Sequence, residues 1–241
     1  MRNAEKVFVA LDTPALDVAL DWAGRLKGVV GGLKLGLEFF GAQGPEGVRR
    51  VSETGMPVFL DLKFHDIPNT VAQAVTSVTP LAPVLATIHA GGGRAMMEAA
   101  VAAARETADK AGVARPKILA VTVLTSLDGD DLAAAGVSGG VEEQVVRLAR
   151  LAQQAGVDGV VCSPREIVPI RRACGRSLLL VVPGLRPAGA APGDQKRVMT
   201  PGEAVSSGAD YLVIGRPITQ AVDPVDAARA IAASLDAVTA G

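Results

Sequence analysis

Phe59-Leu60-Asp61-Leu62-Lys63-Phe64-His65-Asp66-Ile67-Pro68-Asn69-Thr70-Val71 is the stretch from which the fold follows. It begins as a strand. Val58, Leu60 and Leu62 alternate with Phe59, Asp61 and Lys63, and strand side chains point to opposite faces in turn. Asp61 and Lys63 therefore leave the same face of one strand, and Asp66 follows within a short turn. Ile67-Pro68-Asn69-Thr70 ends the strand and opens a helix, since proline suits a helix entry and Asn or Thr suits a cap. That helix is predicted over 71–78. Three charges thus gather at the carboxyl end of an apolar strand. Such charges are costly unless paired, and the pattern points to a site ahead of a plain surface ion pair.

Outward from this stretch the same strand-then-helix unit recurs. Val7-Phe8-Val9-Ala10-Leu11-Asp12 is an apolar run ending in an acid, as a buried parallel strand reads. Leu16, Ala19, Leu20, Ala23 and Leu26 fall at helical spacing and predict a helix over 14–27. Further strands are predicted at 32–36, 84–90, 117–124, 159–162, 178–182 and 211–215. Further helices are predicted at 45–54, 94–108, 141–155, 166–173, 201–207 and 224–238. No shift in composition marks a domain boundary. About eight such βα units in a chain of 241 residues predict a single-domain α/β fold, a closed (β/α)₈ TIM barrel. An open, doubly wound sheet is the competing arrangement. Its glycine-rich first turn is missing here, because Asp12-Thr13-Pro14 cannot form a GxGxxG phosphate loop.

Composition narrows the function. A formal net charge of −1 argues against nucleic acid and anionic membranes as partners. No window reaches the roughly 18 apolar residues of a membrane span. The first residues run into a strand without a secretory pattern, and Cys162 and Cys174 lack metal or redox spacing, so a cytoplasmic protein with reduced thiols is expected. The apolar fraction is 49% but aromatics are only 3%, which predicts a core of Val, Leu, Ile and Ala.

In such a barrel the active site lies at the carboxyl ends of the strands. Asp12, Lys34, Asp61, Lys63 and Asp66 are expected there as a ring of alternating charge, joined by Thr125, Ser126 and Arg216. Gly215-Arg216 closes the last strand. A glycine lets backbone N–H groups approach an oxyanion and an arginine grips it with a fork, so a phosphate site is expected after the last strands. The Gly/Pro/Ala-rich segment over 183–198 is too long for an ordinary turn. It reads as a lid at about 186–200 whose Arg186 and Gln195 fold over a ligand. His65 and His89 lack carboxylates at metal-ligand spacing and read as supporting histidines. Ala90-Gly91-Gly92-Gly93 reads as a tight turn, with anion binding as its other use.

Asp61-Leu62-Lys63-Phe64-His65-Asp66-Ile67-Pro68-Asn69-Thr70 closely resembles the signature of the orotidine 5′-phosphate decarboxylase family. The resemblance extends in order through Ala10-Leu11-Asp12, Leu33-Lys34-Leu35-Gly36, Leu124-Thr125-Ser126, Pro183-Gly184-Leu185-Arg186-Pro187, Asp194-Gln195-Lys196-Arg197-Val198 and Ile214-Gly215-Arg216-Pro217-Ile218-Thr219. It implies a (β/α)₈ homodimer with shared active sites, without metal or cofactor, that takes a nucleotide through the last step of UMP synthesis. It implies that Lys63 protonates C6 of the pyrimidine and that Asp61 sits against the substrate carboxylate. On the same resemblance, Lys34 and Asp66 would complete the charged network, and Asp66 with Thr70 would reach the partner's site. Asp12 and Lys34 would hold the ribose, and Thr125 would meet the pyrimidine. Ile67, Pro68, Asn69 and Thr70 would line the substrate site. Arg186, Gln195, Gly215 and Arg216 would hold phosphate. Two alternatives stand beside this. Phosphosugar enzymes on the same barrel, such as keto-gulonate 6-phosphate decarboxylase or hexulose phosphate synthase, share the Asp-x-Lys-x-x-Asp run. They need Mg²⁺ and an acid ligand where this chain has Lys34, and a cation cannot ligate Mg²⁺. A non-catalytic nucleotide-binding barrel is the second.

Overall fold

The structure is a computed structural model and describes residues 3–187 and 199–239. Among these, β1 (Val7–Leu11), β2 (Gly32–Leu35), β3 (Val58–Phe64), β4 (Leu85–His89), β5 (Lys117–Val121), β6 (Gly159–Val161), β7 (Leu179–Val182) and β8 (Tyr211–Ile214) close in sequence order into a barrel. Every pairing is parallel, and β8 returns to β1 with Phe8 opposite Val213. The helices α1 (Leu16–Leu26), α2 (Leu37–Ser52), α3 (Pro68–Val78), α4 (Gly93–Ala111), α5 (Gly129–Ala134), α6 (Val141–Gln154), α7 (Ile167–Cys174), α8 (Pro201–Ser207), α9 (Arg216–Thr219) and α10 (Pro224–Thr239) follow the strands. The predicted (β/α)₈ barrel is the observed fold.

Two apolar layers result from the alternation along each strand. Val9, Leu33, Leu60 and Ile88 face outward and are covered by helix residues such as Ala23, Phe39, Val75 and Met96. Phe8, Ala10, Phe59, Leu85, Leu119, Val181 and Val213 face inward and fill the lumen. The outer layer is largely aliphatic, as the composition predicts. The lumen is mostly aliphatic too but adds aromatic rings: Phe8 meets Phe59 and Tyr211 edge-on, with ring centroids 5.9 and 5.7 Å apart. These rings pack among the branched side chains of the lumen and add favourable edge-to-face contacts. Gly32 makes room for this floor. A β-carbon there would stand 2.5 Å from the Phe8 ring and 2.5 Å from the Pro57 carbonyl oxygen.

Several boundaries differ from those expected. The second helix begins at Leu37, not at 45, and is broken at Gly44, whose φ of 61° is left-handed. Its proline starts the second segment, which is the part the periodicity revealed. The third helix begins at Pro68, so Asn69 and Thr70 lie inside its first turn and Ile67 occupies the cap position without a side-chain cap. Strand β5 ends at Val121, short of the expected 124, and the short α5 follows with an Asp128–Asp131 capping box.

Candidate functional site

The inward face of β3 carries Phe59, then Asp61, then Lys63, above the aromatic floor. Register sets Lys34 of β2 beside Phe59, so its side chain rises into the same layer. The Lys63 Nζ lies 2.9 Å from Asp61 Oδ2, and the Lys34 Nζ lies 3.4 Å from the same oxygen. The side chains of Lys34 and Asp61 are 12% and 11% exposed, but Lys63 is 31% exposed. Lys63 is therefore the most accessible member of the trio. Burial alone would push the Asp61 carboxyl up. The ammonium groups of Lys34 and Lys63, with hydrogen bonds from Lys63 and Thr87, overcome that and hold it below its ordinary value. The trio is a fixed cluster of two positive charges around one negative charge.

The backbone beneath the cluster is irregular. Leu60 pairs with Ala86 and Phe64 with Ile88, so β3 uses four steps where β4 uses two. Lys63 adopts a left-handed φ of 52° within this bulge. A non-glycine residue in that region is uncommon and costs about 1–3 kcal/mol, so the surroundings must hold it. Thr87, buried on β4, does part of this. Its hydroxyl accepts the Lys63 N–H at 2.9 Å and donates to Asp61 Oδ1 at 2.9 Å. Nothing in the charge pattern of the sequence points to Thr87. Its signal is a lone hydroxyl at an inward position of an apolar strand that ends in His89. Beside it the His65 and His89 rings stack at 4.9 Å, and His89 Nδ1 accepts the Gly91 N–H. Burial first, then the nearby His65 and Lys63, keep the His89 imidazole below its ordinary value.

A cavity of about 190 Å³ opens over the trio and is lined also by Thr125, Pro183 and Val213. Cys162 reaches its wall as a thiol that burial pushes well above its ordinary value. Two larger hollows, of about 750 and 650 Å³, lie outside the barrel, along α6 and between α8 and α10. Neither is lined by the trio. Among the described residues no group of three or more His, Cys, Asp or Glu side chains is placed to hold a metal ion.

The remaining expected residues stand around the rim. Asp12 follows β1 and is exposed, and Asp66, Ile67, Pro68, Asn69 and Thr70 are exposed beyond β3. Neither Asp12 nor Asp66 forms a salt bridge to a described residue. The structure thus brings Lys34, Asp61 and Lys63 together and leaves the other two acids of the expected ring at the edge. Asp66 Oδ1 accepts the Ile67 N–H at 2.6 Å, which fixes the turn into α3. Gly215 and Arg216 follow β8, with Arg216 exposed at the start of α9. Arg186 is buried, and its N–H donates to the Met199 carbonyl at 3.1 Å. That bond ties together the two ends of the expected lid. Gln195, and the rest of the lid over 188–198, lie outside the described residues.

Comparison with known proteins shows the family. The model of the family described as "Orotidine 5'-phosphate decarboxylase / HUMPS family" matches residues 5–231. A protein named orotidine 5′-phosphate decarboxylase from Rhodospirillum rubrum is 58% identical over 230 residues, covering 95% of this chain and 93% of its own. One of the same name from Moorella thermoacetica is 55% identical and covers 99% of this chain and 95% of its own. The crystal structure of orotidine 5′-phosphate decarboxylase from Lactobacillus acidophilus superposes with a TM-score of 0.84 at 35% identity, covering 95% of this chain and 98% of its own. With the family model and the relatives spanning almost the whole barrel, the chain belongs to the orotidine 5′-phosphate decarboxylase / HUMPS family.

Proposed function

We propose that this family member, a carboxy-lyase that turns orotidine 5′-phosphate into UMP in pyrimidine biosynthesis, works through Lys63 as the acid that protonates C6. The observation that carries this reading is the Lys34–Asp61–Lys63 cluster in the cavity at the carboxyl ends of the strands. The C6–carboxylate bond breaks, CO₂ departs, and the electron pair stays on C6 in the plane of the ring. No π-system delocalises that pair, so fixed charge beside C6 must stabilise it. The Lys63 ammonium does this and then transfers its proton to C6, which gives UMP and a neutral amine that solvent recharges. Asp61 lies against the substrate carboxylate and sets the position of both ammonium groups. Lys34 keeps Asp61 ionised.

Asp12 and Lys34 hold the ribose, and Thr125 meets the pyrimidine. Arg216, Gly215, Arg186 and Gln195 take the phosphate. Contacts so far from C6 supply energy for closing the site over the substrate. The enzyme is a homodimer. Ile67 and Leu37 are large apolar side chains left 66% and 62% exposed on the same side of the barrel as the site. Asp66 and Thr70 stand in that rim and complete the partner's site. The reaction needs neither metal nor cofactor. An ammonium from Lys34 occupies the layer where a Mg²⁺-dependent phosphosugar enzyme of this family would need an acid.

The test mixes purified protein with orotidine 5′-phosphate in the presence of EDTA and follows loss of the orotate absorbance. Stoichiometric conversion to UMP is expected. Unchanged substrate beside tight UMP binding would instead make this a binding protein, and activity that EDTA abolishes would support the phosphosugar alternative.

A further inference from the structure

We propose that Thr87 is a positioning residue for the decarboxylation, one hydroxyl that sets the geometry of both Asp61 and Lys63. This rests on the reading of Lys63 and Asp61 given above. Thr87 is 1% exposed in the middle of β4, and its neighbours Ala86 and Ile88 belong to the outer apolar layer. Its side chain therefore points into the lumen, just above Leu85 of the floor. A hydroxyl buried there needs partners. It has two, and both belong to the charged cluster.

The direction of each bond is fixed by chemistry. An ionised carboxylate only accepts, so the single Thr87 proton is committed to Asp61 Oδ1. A hydroxyl lone pair then takes the Lys63 N–H. Asp61 is thereby divided: Oδ1 is held by Thr87, and Oδ2 is left for Lys34 and Lys63. The carboxylate cannot turn about its own axis without losing a partner.

The same hydroxyl holds the backbone. The bulge between Leu60 and Phe64 takes Lys63 out of the regular β3–β4 ladder and leaves its N–H needing an acceptor. Thr87 replaces the missing ladder carbonyl and anchors the left-handed turn at Lys63. The direction in which the Lys63 chain leaves the backbone follows from that turn. A shift of about 1 Å in a reacting group can cost about a hundredfold in rate. Thr87 is not among the residues that line the cavity, so it acts only through the two residues it holds.

The experiment compares Thr87→Val with Thr87→Ser. Valine keeps the shape and removes the hydroxyl, and serine keeps the hydroxyl and removes the methyl. Thr87→Val should lower kcat by about ten- to a hundredfold, the worth of a hydrogen bond to a charged group, with KM changed by no more than about threefold. Thr87→Ser should stay within about threefold of wild type. Equal activity of wild type and Thr87→Val, or a serine variant as slow as the valine one, would overturn the proposal. A rise in KM matching the fall in kcat would overturn it too, because that marks general damage. If Thr87→Val does not fold, Thr87→Ser against Thr87→Ala puts the same question, since they differ only by the hydroxyl. Crystal structures of the wild type and the hydroxyl-free variant form a second arm that needs no turnover. Lys63 should leave its left-handed conformation and Asp61 should rotate. An unmoved cluster overturns the proposal even if the wild type proves inactive on orotidine 5′-phosphate, a result that would sink only the functional reading.

Discussion

Replacing Asp61 by asparagine removes the one negative charge between two ammonium groups and leaves the shape almost unchanged. In the native site Asp61 Oδ2 is 2.9 Å from Lys63 and 3.4 Å from Lys34, with both Asp61 and Lys34 nearly shielded from water. Breaking a buried ion pair on one side costs about 3–5 kcal/mol, because the partner charge stays behind unpaired. Lys63 is about one-third exposed and recovers part of this by turning to water, so the low end, about 3 kcal/mol, applies. For a chain of this size each kcal/mol moves the melting temperature by about 2–4 °C, so Asp61→Asn should melt about 6–12 °C lower at pH 7. The pH dependence gives a sharper check. The Asp61 carboxyl titrates lower in the folded protein than its ordinary value. Its contribution is complete above the unfolded value of about 3.9 and is lost as pH falls through the lower folded value. The gap between wild type and Asp61→Asn should therefore be constant at neutral pH and shrink below about pH 4. Thermal melts of both proteins from neutral to acid pH measure it. A variant as stable as wild type at pH 7, or a gap that widens in acid, would refute the picture of Asp61 as the anion that holds the cluster together.

Two further outcomes probe the rest of the site. Arg216→Ala should reduce kcat/KM on orotidine 5′-phosphate by at least about a hundredfold, since charge-assisted contacts to phosphate are worth a few kcal/mol. The loss on the bare nucleoside should be much smaller, and equal fractional losses would move the phosphate site to Gly91-Gly92-Gly93. Mixed dimers of inactive Lys63→Ala and inactive Asp66→Ala should recover activity, because one of their two sites receives both intact residues. Verified subunit exchange without recovery would argue against sharing.

The barrel was legible in the sequence because its strands are apolar on both faces and its helices on one. The trio was legible because Asp61 and Lys63 sit two residues apart on a strand. The features that were missed depend on contacts distant in sequence. The left-handed turn at Lys63 comes from the β3–β4 bulge, and nothing in a lysine announces it. Thr87 looks like any β-branched strand residue until the barrel closes and brings it to Asp61. The aromatic floor escaped a reading based on composition, since a few rings suffice when Phe8, Phe59 and Tyr211 converge in one lumen. Asn69 and Thr70 looked like caps, but Pro68 starts the helix ahead of them.

The central claim is that the Lys63 ammonium delivers the proton to C6. Its most direct test is turnover of orotidine 5′-phosphate by Lys63→Ala, measured beside the variant's affinity for UMP. Binding should persist, because the phosphate and ribose contacts lie elsewhere, while kcat should fall by at least about a thousandfold with both the acid and the local positive charge removed. Wild-type turnover by the folded Lys63→Ala variant would contradict the assignment of Lys63 as the acid.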